Sequence, residues 1–127
     1  MAKAHEILVD QVLLALGSES DIRCWRTQVG LYRMLKSDRR IFIGPTGIAD
    51  IIGVIAPRGQ FFCLEVKTGK QGLRKTQSKF REWIEYRGAV WVTAWSVLDA
   101  VQGLAPYRTA MIVKRRARRE AWPRDGV

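Results

Sequence analysis

Residues 47–67 read GIADIIGVIAPRGQFFCLEVK, and the way the two halves of this stretch pair decides how the chain folds. Ile48 to Ile55 is almost continuously apolar, broken only by Asp50 and Gly53, the pattern of a strand buried on both faces. Pro57-Arg58-Gly59 reads as a tight turn, because Pro fixes φ and Gly relaxes it. Gln60 to Lys67 reads as a second strand with alternating side chains. Phe62, Leu64 and Val66 share one face, while Phe61, Cys63, Glu65 and Lys67 share the other. If the strands form an antiparallel hairpin, a two-residue loop at Pro57-Arg58 sets Asp50 directly opposite Glu65. A four-residue loop sets Asp50 opposite Lys67, with Glu65 one diagonal away. A three-residue loop would turn Asp50 to the other face. Opposed or diagonal Cβ atoms lie roughly 4.5–8 Å apart, so either even loop lets both carboxylates reach one cation.

These acids stand in a basic chain. Its 127 residues hold 22 Lys and Arg against 12 Asp and Glu, a formal charge of +10 and a pI near 10.3. Such a bias fits a partner that carries phosphate charge. Acids clustered inside it fit a divalent cation held against that polyanion. Mg²⁺ prefers hard oxygen ligands, and two carboxylates plus a backbone carbonyl are a typical protein contribution. The side chain of Lys67, two residues beyond Glu65, can orient an attacking water and offset phosphoryl charge as an ammonium, or deprotonate the water as a free amine. The competing reading is a same-face surface ion pair between Glu65 and Lys67, with Asp50 a chance acid near a strand end.

The run from Gly47 to Gln77 resembles the PD-(D/E)xK nuclease superfamily, and within it the virus-type replication-repair nuclease family (VRR-NUC). The matching pieces are Gly47-Ile48-Ala49-Asp50, then Leu64-Glu65-Val66-Lys67-Thr68, a Lys/Arg-rich loop, and Gln77 in the opening turn of a helix. The similarity covers most of the chain, from Glu6 to about residue 104. Ala49 departs from the pattern, since many members carry Pro before the Asp. The resemblance implies a restriction-endonuclease-like α/β core with a mixed central β-sheet flanked by helices. It implies a Mg²⁺-dependent DNA endonuclease, with Mn²⁺ as a substitute metal. Asp50, Glu65 and the Val66 carbonyl would bind the metal, Lys67 would serve the water, Gln77 would support Lys67, and Glu6 would complete the outer acid cluster through water. Small stand-alone members resemble Holliday-junction resolvases and act as homodimers, so branched DNA, a four-way junction above all, is the expected substrate. A phage-type origin accompanies that resemblance. Two alternatives stay open: a flap or restriction-type nuclease of the same superfamily, and a non-catalytic nucleic-acid-binding module.

Around this centre the chain reads as one α/β domain, residues 1–113, followed by a basic tail, 114–127. Lys3 to Leu16 shows apolar residues at Val9, Leu13 and Leu16, an amphipathic helix that would carry Glu6 on its inward stripe near Asp10. His5 is the only histidine and reads as solvated. Ile22 to Thr27 is the expected first strand. Leu31 to Arg40 is a basic excursion without a clear period, and Arg39 to Ile43 a short strand. Lys70, Arg74 and Lys75 surround a polar loop, where they either track a phosphate backbone or are simply solvated. A helix from about Leu73 to Arg87 ends at Gly88 and aims Gln77, Phe80, Ile84 and Arg87 to one side. Ala89 to Trp95 is a strand, and Ser96-x-x-Asp99 a capping box opening a helix to about Leu104. Trp83, Trp91 and Trp95 suit either an apolar dimer interface or core packing. Cys24 and Cys63 lack metal-ligand spacing and read as reduced core thiols. With no signal-like start and no apolar run near 18 residues, secretion and membrane insertion are not expected. A cytoplasmic location in a bacterial or phage-infected cell is.

Lys114, Arg115, Arg116, Arg118 and Arg119 form a basic block, either an arm along DNA or a solvated tail. If it is an arm, deleting residues 114–127 weakens DNA binding alike across sequences. It also flattens the salt dependence by about 0.9 log units per lost phosphate contact. A binding titration over several salt concentrations measures this, and an unchanged slope rejects the arm.

Overall fold

The hairpin of the quoted stretch forms the middle of the sheet. A computed structural model describes residues 2–28, 30–33 and 39–108. In chain order these form α1 (Ala2–Gly17), β1 (Ile22–Arg26), β2 (Gly30–Arg33), β3 (Arg40–Ile43), β4 (Ile51–Ile55), β5 (Gln60–Val66), α2 (Lys75–Tyr86), β6 (Val90–Ala94) and α3 (Val97–Leu104). A 3₁₀ turn, Ala105–Tyr107, follows. The main sheet is mixed, in the order β1-β4-β5-β6. β1 and β5 flank β4 antiparallel, and β6 runs parallel to β5 after the α2 crossover. β2 and β3 form a separate antiparallel pair.

The β4–β5 register runs from Ile55↔Gln60 to Ile51↔Leu64, so Asp50 continues it level with Glu65. That is the pairing expected of the shorter loop, although the strands themselves stop at Ile55 and Gln60. Gly59 closes the turn at φ +69°, a conformation that suits Gly.

The two faces of the sheet are dressed differently. Phe62, Leu64 and Val66 of β5 lie with Ile51 and Ile55 of β4 and Val90, Val92 and Ala94 of β6, against Val9, Val12 and Leu16 of α1 and Ala100 and Leu104 of α3. On the other face, Cys63 and Trp91 meet Ala49 and Ile84, with Ile52 and Phe80 alongside. The alternation of β5 thus assigns residues to their faces as period two requires. Burial raises the Cys24 thiol to about 11 and the Cys63 thiol to about 12, and both are free.

Several expectations need correction. The buried positions of α1 are Val9, Val12 and Leu16, not Val9, Leu13 and Leu16. That phase turns Glu6 outward. Within the basic excursion lies β2, a strand too short to show a period; residues 34–38 are outside the described range, as is the whole basic block at 114–119. Arg87 leaves the buried face of α2 and lies over the Trp83 ring, 3.9 Å from its centroid. Trp91 is buried, whereas Trp83 and Trp95 are about half exposed. The expected cap is present: Ser96 Oγ accepts from the Asp99 N–H at 3.0 Å, and Asp99 Oδ2 accepts from the Trp95 N–H at 2.9 Å. Among the described residues no helix is long and apolar enough to cross a membrane.

Gly47 is the residue that lets the segment before β4 reach its place. Its φ is +84°, and a Cβ there would run into the Thr76 carbonyl in the first turn of α2. Backbone strain of this kind costs about 1–3 kcal/mol before any steric clash. Gly47→Ala should therefore lower unfolding stability by at least about 2 kcal/mol, read by urea titration. An unchanged midpoint would show that the two segments do not need this approach.

Candidate active site

Asp50, at the mouth of β4, and Glu65, near the end of β5, hold each other through the backbone. The Asp50 N–H donates to Glu65 Oε1 at 3.1 Å, and the Val66 N–H donates to Asp50 Oδ2 at 2.9 Å. Lys67 follows β5 directly and is tied to β6 by its own N–H, which donates to the Ala94 carbonyl at 2.9 Å. Its Nζ lies 3.3 Å from Glu65 Oε2 and donates to Gln77 Oε1 at 3.0 Å. Gln77 completes the ring, donating from Nε2 to Glu65 Oε2 at 2.6 Å. Glu65, Lys67 and Gln77 are 4%, 6% and 1% exposed.

Gln77 does a second job. Its Oε1 also accepts from the Arg74 N–H at 3.0 Å, the backward reach of an N3 residue to the N-cap. The amide orientation follows from this set: two donors face Oε1 and a carboxylate faces Nε2. The helix start and the polar cluster are therefore one hydrogen-bonded unit.

Burial, then the nearby charge of Asp50, push the Glu65 carboxyl above its usual range, while Gln77 and Lys67 pull the other way.

His5 is the residue that sequence reasoning missed. Rather than being solvated, its side chain is 29% exposed, with Nε2 at 3.2 Å from Asp50 Oδ2 and 3.1 Å from the Val66 carbonyl oxygen. The signal was available in the helical phase, since residues 5, 9, 12 and 16 fall on one stripe. Glu6, expected beside the acids, is instead held by Arg26 through two bonds of 2.6 and 2.7 Å. Arg26 is the chief cause of a Glu6 carboxyl lowered below its usual value. Glu6 faces the cluster across His5, whose Nδ1 is 3.7 Å from Glu6 Oε1. Asp10, Lys70, Arg74 and Lys75 are exposed, the last three on the rim formed by the loop after β5 and the start of α2.

Among the described residues, no three His, Cys, Asp or Glu side chains are gathered closely enough to hold a metal ion. The donors on hand are hard oxygens nonetheless. Asp50 Oδ1 accepts no hydrogen bond from the described residues, Glu65 retains lone pairs beyond its present bonds, and the Val66 carbonyl faces the same corner. This set fits a divalent cation completed by water. The chain matches no protein-family model, and no curated protein matches it.

Replacing Gln77 by Leu removes three hydrogen bonds from a buried ionic cluster. With about 1–3 kcal/mol for each buried group left unsatisfied, Gln77→Leu should cost at least about 2 kcal/mol of unfolding stability. Chemical denaturation tests this, and a loss under about 0.5 kcal/mol would contradict the network.

Proposed function

We propose that this chain is a divalent-metal-dependent DNA endonuclease, with a PD-(D/E)xK core of the virus-type replication-repair kind. One observation carries the reading: two acids, a lysine and a glutamine meet in a single hydrogen-bonded cluster at one end of the sheet, with Lys67 6% exposed and Glu65 4% exposed. A surface ion pair would not be buried. A buried pair is also a poor way to stabilise a fold, because desolvation offsets the attraction. A buried carboxyl pushed above its usual range beside a solvent-facing acid fits a catalytic site.

In this reading Asp50, Glu65 and the Val66 carbonyl hold the metal. When bound, the metal polarises a phosphoryl oxygen, acidifies water and steadies the leaving oxygen. Lys67, held as an ammonium by Glu65 and Gln77, orients the attacking water, and its charge offsets that of the phosphoryl group. Gln77 fixes the ammonium from the far side, so Lys67 meets the water in one position. Lys70, Arg74 and Lys75 line the path of the DNA backbone. In-line attack leaves 5′-phosphate and 3′-hydroxyl ends. The net charge of +10 supports a nucleic-acid substrate. The narrower substrate we propose is a four-way junction, cut by a two-fold homodimer that presents two sites to it; the support is the resemblance to stand-alone junction resolvases.

The test is Mg²⁺- and Mn²⁺-dependent cleavage of a labelled four-way junction beside linear and flapped duplexes. Symmetric junction cuts are expected, and Glu65→Ala should abolish them. Lys67→Ala should lose on the order of 10²–10⁴ in rate while DNA binding persists. Cleavage of flaps or linear DNA instead keeps the site and discards the junction. Tight binding without cleavage under either metal rejects the enzyme.

A further inference from the structure

We infer that the open sheet face at the hairpin end binds unpaired bases of single-stranded DNA. Trp25, Phe61 and the Trp83–Arg87 pair would be its stacking surfaces, and Arg58 a phosphate contact. The inference rests on the nucleic-acid reading above for the class of polymer, and goes beyond it by placing a binding surface outside the acid cluster.

The strand register sets this surface. Trp25 of β1 pairs with Ile52 of β4, which pairs with Cys63 of β5, and Val54 pairs with Phe61. Directly paired residues share a face, as do residues two apart on one strand. Trp25 and Phe61 therefore project from the face that carries Cys63. α2 packs over β6 and the middle of β5 there, where Ile84 and Phe80 meet Cys63 and Trp91. Toward β1 that cover ends: Trp25 is 50% and Phe61 36% exposed. The two lie roughly 12 Å apart, from the spacing of strands and of residues along them, so each can take a base of its own.

Between Phe61 and the C-terminal end of α2 lies a cleft of about 430 Å³, lined also by Arg58, Gln60, Trp83 and Arg87. Its size suits a small organic group, for which about 300–1,000 Å³ is usual. The walls are tied together, because Gln60 Nε2 donates to the Phe61 and Gly88 carbonyls, both at 3.0 Å. Phe80 stacks on Trp83 with 6.2 Å between centroids. Arg87 lies over the Trp83 ring and donates from Nη1 to the Trp83 carbonyl at 3.0 Å. A guanidinium plane fixed in this way stacks with a base as an aromatic ring does.

Charge selects the occupant. The cleft lining holds two arginines and no acid. Arg58 is exposed and makes no hydrogen bond or ion pair with a described residue. An apolar peptide would leave both charges unanswered, whereas a phosphodiester answers them and carries bases to the aromatic planes. A duplex gains nothing from those planes, since its bases already stack on one another. The acid cluster stands at the far end of the same face, because Glu65 continues the alternation of Phe61 and Cys63. α2, with 12 residues, spans about 18 Å of that distance.

Fluorescence anisotropy of the full-length protein tests this with a labelled oligothymidylate of about 12 nucleotides, in EDTA to prevent cleavage, beside a duplex of the same length. Trp25→Leu and Trp83→Leu should each weaken single-strand binding roughly 5- to 100-fold, the scale of one lost stacked base, and leave duplex binding within about 2-fold. Arg58→Ala should lower the salt slope for the single strand by about 0.7 log units, one phosphate contact. Single-strand binding unmoved by both tryptophan changes overturns the inference, while metal-dependent cleavage, measured separately, keeps the nuclease reading. A wild type that binds neither form of DNA overturns both. A homodimer split by Trp25→Leu gives the face to a second copy and overturns the inference too. Should Trp83→Leu fail to fold, Trp25→Leu and Arg58→Ala decide, since both side chains are exposed.

Discussion

The Glu65 carboxylate is the contact on which the rest of this molecule turns. Its two oxygens receive the Asp50 N–H, the Gln77 amide and the Lys67 ammonium, so one side chain ties β4, the loop after β5 and the first turn of α2. A carboxylate so buried is costly to ionise, and the charge of Asp50 adds to the cost. Its folded pKa therefore lies above the unfolded value. The stability that follows is fully present below the ordinary carboxylate range and is lost as pH rises through the raised value.

The fold spends backbone as well as charge on that arrangement. Gly47 gives up a side chain so that the segment leading to Asp50 can pass the Thr76 carbonyl. Gln77 spends one oxygen on both the helix N-cap and the lysine. Packed elements set these positions, because Glu65 and Gln77 lie within β5 and α2 while Asp50 and Lys67 directly adjoin β4 and β5. Loosening α2 would move Gln77 and Lys67 together, and the path taken by residues 47–50 with them.

Much of this was legible in residues 47–67, because period two in β5 is unambiguous: Phe62, Leu64 and Val66 can share only one face, and Glu65 and Lys67 only the other. The register was legible only as a pair of even choices, since where strands stop pairing depends on turn geometry rather than on apolar pattern. The phase of α1 was misjudged for a related reason. Leu8, Val9, Val12, Leu13, Leu14 and Leu16 crowd the helix, so more than one stripe looks apolar, and only the packing selects Val9, Val12 and Leu16. A shift of one position exchanges His5 for Glu6. β2 stayed hidden because four residues are too few to display a period against so many basic neighbours.

A second buried ionic cluster shows why the first reads as a site. Arg108 donates to both oxygens of Asp21, at 2.7 and 2.6 Å, and to Glu19 Oε1 at 2.7 Å. The Asp21 side chain is wholly buried, and a planar guanidinium fits a carboxylate in this two-pronged way. Each Asp21 oxygen is thus answered by a charged donor, and the contact fastens the end of α3 and its 3₁₀ turn to the bend between α1 and β1. Asp50 is built otherwise. Its Oδ2 meets a neutral backbone N–H and an imidazole nitrogen, its Oδ1 meets no described donor, and the lysine of the cluster is turned to Glu65. A fold that can supply a guanidinium to one acid and leaves another facing solvent beside a second carboxylate has not run out of means to neutralise it. Water can answer an oxygen that faces solvent, and the same lone pairs are open to a cation.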